Sequence, residues 1–493
     1  MAVARVSRIK SNLARGDHPY LNGAWTPNYD EYNATGMEVI GEIPADIDGV
    51  YLRNTENPVH EPIGRYHPFD GDGMIHMMSF ADGKAEYRNR FVRTRGFREE
   101  QEAGRSLWAG LMEHPSRSER PGWGAQGALK DASSTDIIVH AGKALSMFYQ
   151  CGEGYHLDPY TLEDLGTAQW VPEDGISAHA KLDEHTGELL FFNYSKHPPH
   201  MHYGVVGADN RLKHYMPIPL PGPRLPHDMA FTENYAIVND LPLFWDAERL
   251  TRGHHVVRMH WDVPSRFGIV PRLGRPDEVR WFEAEPTYVL HWVNAFEEGD
   301  EVVLDGYFQE QPEPPSHPTA PPGYERMMAY LDMELMAPRL HRWRFNLRTG
   351  ATREERLDDR TLEFGTINQR RGGRRYRYAY SAVSKPGWFL FTGFTRHDLA
   401  TGNSCSVDLG EGRYGSEAGI APRVGATAED DGYLVTFVTD MNDDRSECVL
   451  YEANDMEAGP VCRIMLPHRI SSGTHATWAN GADIRDAMAA TPA

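Results

Sequence analysis

Residues 284–307, AEPTYVLHWVNAFEEGDEVVLDGY, decide how the chain is read. The run 288–296 is aromatic and β-branched, with His291 in its middle. Glu297, Glu298, Gly299 and Asp300 supply a turn, and 302–307 returns as a second strand. A histidine inside such an apolar run is costly unless its ring nitrogens find partners. For a lone histidine the ordinary partner is a backbone carbonyl. Three others share the setting, however: His179 in ISAHAKL, His227 in RLPHDMAF and His475 in SGTHATWA. Each lies at or near the start of a strand-like segment.

Outward from this hairpin the same rhythm of short apolar runs and turns recurs at 176–195, 225–240, 340–357, 376–383 and 431–440. The repeat is one of pattern rather than of residues, and many evenly spaced hairpins predict an all-β propeller. Length alone, 493 residues, suggests about three domains of ordinary size. The 46 glycines and 34 prolines are spread evenly, though, and no Ser/Gly linker divides the chain. The expectation is therefore an N-terminal arm over 1–35, with a short helix at most, followed by one domain over 36–493. Two insertions break the strand rhythm. Residues 96–129 have helical spacing, with Phe97, Leu107, Leu111 and Met112 apolar, before a glycine-rich loop. Residues 309–340 open with the proline-rich loop QEQPEPPSHPTAPPG. Insertions of this kind cover a pocket or make weak peripheral contact with a membrane; the alternative for 96–129 is an ordinary packed surface helix.

The net charge of −21, from 71 acidic and 50 basic residues, excludes a nucleic-acid partner, because no basic stripe exists to displace counterions. The four cysteines, Cys151, Cys405, Cys448 and Cys462, form no CxxC pair, so a reduced, cytoplasmic setting is expected. The N-terminus is basic without an apolar core, so no signal peptide is expected. No run of about 18 apolar residues is present to span a membrane.

In a propeller the innermost strand of each blade runs along the central axis. One histidine from each of four blades can then point at a single axial atom. Four neutral imidazoles suit a borderline divalent metal, and iron is the one that also activates dioxygen. Rival clusters are tighter in sequence: His197, His200 and His202 in KHPPHMHY, and His254, His255 and His260 in RGHHVVRMHW. A solvated loop is the competing reading for both. The DGDG of 70–73 could be a calcium loop, but it lacks the remaining carboxylates of an EF-hand, and a tight hairpin turn is the expectation there. Two other classes stay open at this point. A calcium-dependent propeller hydrolase would carry Asp, Glu and Asn at its axis, and a non-catalytic binding platform would need no buried histidines.

The histidine contexts, together with LRNTENP (52–58), HPFDGDGMIHMMSF (67–80), NRFVRT (89–94), HWVNAFEEGD (291–300), EDDGYLVTFVTD (429–440) and LPHRISSGTHATW (466–478), resemble the carotenoid cleavage oxygenase family in content and order. The resemblance implies a seven-bladed β-propeller with a loop and helix cap over one end. It implies a non-haem Fe(II) held by His179, His227, His291 and His475, with no general base assigned. Dioxygen would cleave a carbon–carbon double bond of a small apolar conjugated substrate into two carbonyl products. Carboxylates that orient three of the imidazoles would be Glu363 in TLEFGTI and Glu417 in GSEAGIAPR. The third such position is Gln150, which can accept a hydrogen bond but brings no charge. The hydroxystilbene-cleaving branch is similar in a Lys and Tyr pair that grips a phenol. Lys130 matches the Lys, with a surface ion pair to Asp131 or Asp136 as its plainer role, while the Tyr position is Phe91. The substrate expectation is thus a carotenoid or apocarotenoid-like polyene. The alternative is an aromatic alkene, a stilbene or a phenylpropenoid such as isoeugenol.

Overall fold

A computed structural model describes residues 2–122, 129–246, 248–249 and 256–490. Strands dominate it and helices are few and short, and the four-stranded antiparallel sheets are blades of a β-propeller arrangement. The opening hairpin shows why. Trp292–Glu298 and Glu301–Gln309 pair in antiparallel register through Glu298 and Glu301, and Gly299 takes the turn at φ +62. Gly306 has no substitute there, because a Cβ would lie 2.4 Å from the Trp292 ring. The strand starts at Trp292 rather than at the expected 288, since the preceding backbone is committed elsewhere. The Thr287 N–H donates to Ser265 Oγ, and the Tyr288 carbonyl accepts from Gln309. His291 therefore stands just outside the ladder, at its mouth.

The chain forms two compact units. The first comprises Met1–Ile176, Thr392–Phe394 and Cys405–Ala493; the second comprises Ser177–Phe391 and Thr395–Ser404. The first unit holds three sheets. One runs Ala2–Arg8, Asp30–Thr35, Lys84–Phe91, Asp72–Ala81, Gly49–Arg53, Ala476–Asn480. Another is Asp136–His140, Lys143–Met147, Tyr155–Leu157 and Asp164–Thr167, and the third joins Val39–Gly41 to Pro460–Met465 and the strands beyond. Segments near both ends of the chain thus close on each other twice: Val50 opposes Ala479, and Ile40 opposes Arg463. The second unit holds three complete four-stranded sheets, starting at Lys181–Asp183, Ala230–Phe231 and Trp292–Glu298. The strands Leu362–Thr366, Tyr378–Ser384, Phe391–Asp398 and Asn403–Asp408 are apportioned between the units. Among the described residues six blades are complete within a unit, which corrects the expected seven.

Three further expectations change. The arm carries strands besides the short 3₁₀ helices Pro19–Leu21 and Gly23–Trp25: Ala2–Arg8 pairs with Asp30–Thr35 and extends a sheet. Among the described residues of the 96–129 insertion, only the helix Arg95–Ala103 is α-helical. Thr94 Oγ1 caps it by accepting the Phe97 N–H, and Gly104 ends it at φ +69. Of the insertion's apolar residues Phe97 and Leu107 are buried, while Leu111 is exposed. The DGDG segment is neither hairpin turn nor ion loop. Asp70 closes a 3₁₀ turn capped by His67, its two oxygens accept the Leu111 and His67 N–H groups, and the strand begins at Asp72. The 309–340 insertion carries helices Glu325–Ala329 and Met333–Met336, which bury Met327, Met328, Met333 and Met336. No helix among the described residues is long and apolar enough to cross a membrane.

The core of the second unit centres on Trp343, fully buried, with Phe267 and Trp292 at ring-centroid distances of 5.7 and 5.5 Å. Close-packed aromatic cores relax little around a deletion. Trp343→Ala is expected to cost about 3–5 kcal/mol of unfolding free energy, read as a lowered denaturation midpoint with an unchanged m-value.

Candidate metal centre

Three of the four expected ligands meet in the second unit. His179 lies two residues before strand Lys181–Asp183, His227 three before Ala230–Phe231, and His291 one before Trp292–Glu298. Each ring is carried on a segment that leads directly into a strand. Ring centroids are 4.8 Å apart for His179 and His227, 5.0 Å for His179 and His291, and 5.2 Å for His227 and His291. Each ring offers one nitrogen, and these lie within 4.8 Å of one another, with the Nε2 atoms of His179 and His227 3.2 Å apart. Nitrogens about 2.1 Å from a shared ion stand roughly 3–4 Å from each other, so the spacing fits a metal. The all-imidazole donor set suits iron, zinc, copper or nickel and not calcium.

Backbone strain accompanies this convergence. His179 holds φ +67, a left-handed conformation that few side chains other than glycine adopt without cost. Phe364 does the same at φ +50, and its ring lies 5.0 Å from that of His291. Beside it the fully buried Glu363 accepts the His291 Nδ1–H at 2.6 Å and the Phe364 N–H at 2.8 Å with the same oxygen. That bond assigns the proton to Nδ1 and leaves the Nε2 lone pair for an ion.

In the first unit His475 repeats this design. It too immediately precedes a strand, Ala476–Asn480. Its Nδ1–H donates to Glu417 Oε2 at 3.1 Å, and the same oxygen accepts the Ala476 N–H at 2.7 Å. Burial pushes the Glu417 carboxyl above its usual range, and His475 works against that shift. Gln150 is buried in this unit, and its Oε1 has no hydrogen-bond partner among the described residues.

The two substrate candidates stand differently from expectation. Phe91 is 1% exposed and packs with Val59, Met74 and Phe97 in a small core, stacked on Phe97 at 5.3 Å. Lys130 makes no surface pair with Asp131 or Asp136. It is enclosed between Asp72 Oδ1 and Glu100 Oε2, each at 2.7 Å. Burial raises the Asp72 carboxyl to about 6, with Lys130 opposing the rise. These groups line a cavity of about 50 Å³ with His60, Tyr66 and Trp108.

Among the described residues, the rival histidines form no metal-like group. His202 stacks on Tyr215 at 4.8 Å, the His200 Nδ1–H donates to the Ser195 carbonyl, and His260 stacks on Phe244 at 3.8 Å. His254 and His255 lie outside the described residues.

Sequence reasoning missed Asp228. Its carboxylate accepts the Trp292 N–H at 2.9 Å through Oδ2 and pairs with Lys181 Nζ at 2.7 Å through Oδ1. Burial raises this carboxyl to about 6, against the pull of Lys181. The one available signal was its place directly after His227.

Comparison with known proteins gives a consistent result. Residues 25–480 match the family model described as RPE65, retinal pigment epithelial membrane protein. The chain is 32% identical to a carotenoid 9,10(9',10')-cleavage dioxygenase of Crocus sativus, over 94% of this chain and 89% of that one. It is 30% identical to an isoeugenol monooxygenase of Pseudomonas nitroreducens, over 95% of this chain and 99% of that one. Its structure is similar to that of a Pseudomonas brassicacearum lignostilbene dioxygenase, with a TM-score of 0.82 at 28% identity, covering 96% of this chain and 100% of the other.

Glu363→Gln removes the charge that orients His291 while keeping the volume. Divalent-metal affinity is expected to fall roughly 10–100-fold, measured by competition with a chromogenic chelator.

Proposed function

Because this chain belongs to the carotenoid cleavage oxygenase family, and is therefore an oxygenase acting on carbon–carbon double bonds, we propose that it is a non-haem Fe(II) dioxygenase that splits a conjugated alkene into two carbonyl products. The observation that carries the metal reading is the mutual approach of His179, His227 and His291, with two Nε2 atoms 3.2 Å apart. His475, oriented by Glu417 as His291 is by Glu363, supplies the fourth imidazole.

When bound, Fe(II) supplies the activation of dioxygen. The chain's own residues have three tasks. Glu363 and Glu417 hold the Nδ1 protons of His291 and His475, which keeps the opposite nitrogens as donors. Strand-end placement keeps the ligands from swinging away. Gln150, buried and uncharged, stands where the family resemblance places a third such carboxylate. No side chain is required as a general base. What remains is to hold the double bond near the metal and to keep water out.

For the substrate, an apolar polyene of carotenoid or apocarotenoid type fits best. A phenol anchor needs a free cation or a hydroxyl. Lys130 is neutralised by two carboxylates, and Phe91 has no hydroxyl and is packed into a core. The second reading is an aromatic alkene, favoured by the similarity to the isoeugenol monooxygenase and the lignostilbene dioxygenase.

Purified protein is expected to carry one iron per chain and to consume dioxygen with a carotenoid or apocarotenal. Isoeugenol and hydroxystilbenes complete the panel, and faster turnover of these would select the second reading. His227→Ala is expected to lose the iron and lower turnover at least a hundredfold. Iron and turnover both retained in that variant would sink the assignment.

A further inference from the structure

We propose that Asp228 is a positioning residue that clamps the three ligand-bearing segments of the second unit together, acting through Lys181 and the Trp292 amide. This rests on the metal reading given above. The carboxylate is 1% exposed. It follows His227 directly in the chain, so its backbone carries that ligand's segment. Its Oδ1 pairs with Lys181, two residues after His179, at 2.7 Å, and its Oδ2 accepts the N–H of Trp292, the residue after His291, at 2.9 Å. Oδ1 also accepts the Met229 N–H at 2.7 Å, and the Asp228 carbonyl accepts from Asn239 Nδ2 at 2.6 Å. One side chain therefore bonds to each of the three segments, within two residues of every ligand.

A carboxylate this deeply buried is destabilising unless its lone pairs are fully used. Here every bond it makes draws one ligand segment toward the others. A covalent link of one residue to His227 on one side, and short charged or backbone bonds on the other two, leaves little slack. The segment that His179 opens, at φ +67, is tethered two residues on at Lys181. Metal sites lose affinity when a ligand drifts by a fraction of an ångström, so a fault in such a clamp should appear in metal binding before it appears in folding.

The variants are Asp228→Asn, Lys181→Met and the double. Asparagine preserves volume but places an N–H₂ group against either the Lys181 ammonium or the Trp292 N–H, both of which are donors. The measurements are anaerobic Fe(II) affinity by chelator competition, and melting temperature with and without Fe(II). The expected result is an Fe(II) affinity roughly 10–100-fold weaker in Asp228→Asn, a smaller loss in Lys181→Met, and a double variant no weaker than Asp228→Asn. The rise in melting temperature on adding Fe(II) should shrink in parallel, which a merely structural role would not produce. If Asp228→Asn does not fold, Lys181→Met alone decides, since an affinity equal to that of the wild type would overturn the clamp. Wild-type uptake of Fe(II) with unchanged affinity in Asp228→Asn overturns the clamp alone. A wild-type chain that takes up no Fe(II) overturns the metal reading and the clamp together.

Discussion

Imidazole rings do not gather in a protein interior unaided. Each is a polar group taken out of water, and bringing the Nε2 atoms of His179 and His227 to 3.2 Å makes two basic nitrogens compete for the same space. Much of the second unit can be understood as the means of holding that arrangement. Strand ends supply rigid bases for the rings. Glu363 fixes the His291 ring and its proton, and in turn is held by the N–H of Phe364, a residue in a left-handed conformation that a bulky side chain ordinarily avoids. Asp228 ties the segments behind the rings. The strained Phe364 is itself packed, with its ring 6.0 Å from that of Phe389 and 4.9 Å from that of Phe391.

The first unit solves a different problem. A sheet has edges, and an edge invites pairing with another chain. Here the strand Ala476–Asn480 pairs with Gly49–Arg53, and Pro460–Met465 pairs with Val39–Gly41, so the latter part of the chain is stitched to its beginning by main-chain bonds. His475 stands at the mouth of one of these joints, and Glu417 binds both its ring and the first amide of the strand. The residue proposed as a ligand is thus anchored by a contact of very long sequence separation. Such contacts form late, because their loop-closure entropy must be overcome first.

The burial of Lys130 bears on the proposed substrate. A lysine free in a pocket attracts a phenolate, whereas a lysine enclosed by Asp72 and Glu100 presents a neutral or slightly acidic face. Relatives of this chain are named for cleavage of carotenoids and for oxygenation of isoeugenol. In this chain Lys130 is paired with two carboxylates and Phe91, packed into a core, has no hydroxyl, which is why the polyene reading is preferred.

Much of this was legible in one dimension. The hairpin at 291–307, the strand-end setting of His179, His227, His291 and His475, and the glutamates Glu363 and Glu417 could all be read from local pattern and family motifs. Strand periodicity, turn chemistry and helix caps are short-range, and they are written into consecutive residues. Asp228 could not be read in this way, because its partners are Lys181 and the Trp292 amide, far off along the chain, and nothing local marks a carboxylate as a clamp. Nor could the enclosure of Lys130, which depends on Asp72 and Glu100 arriving from another strand and from a helix. The strands of the N-terminal arm and the division of blades between units were likewise settled by distant pairing. The sequence by itself determined which chemical groups stand at the strand ends. Only the tertiary structure decided which distant charges neutralise and hold them, because a buried charge takes its partner from whatever chain closure brings within bonding distance.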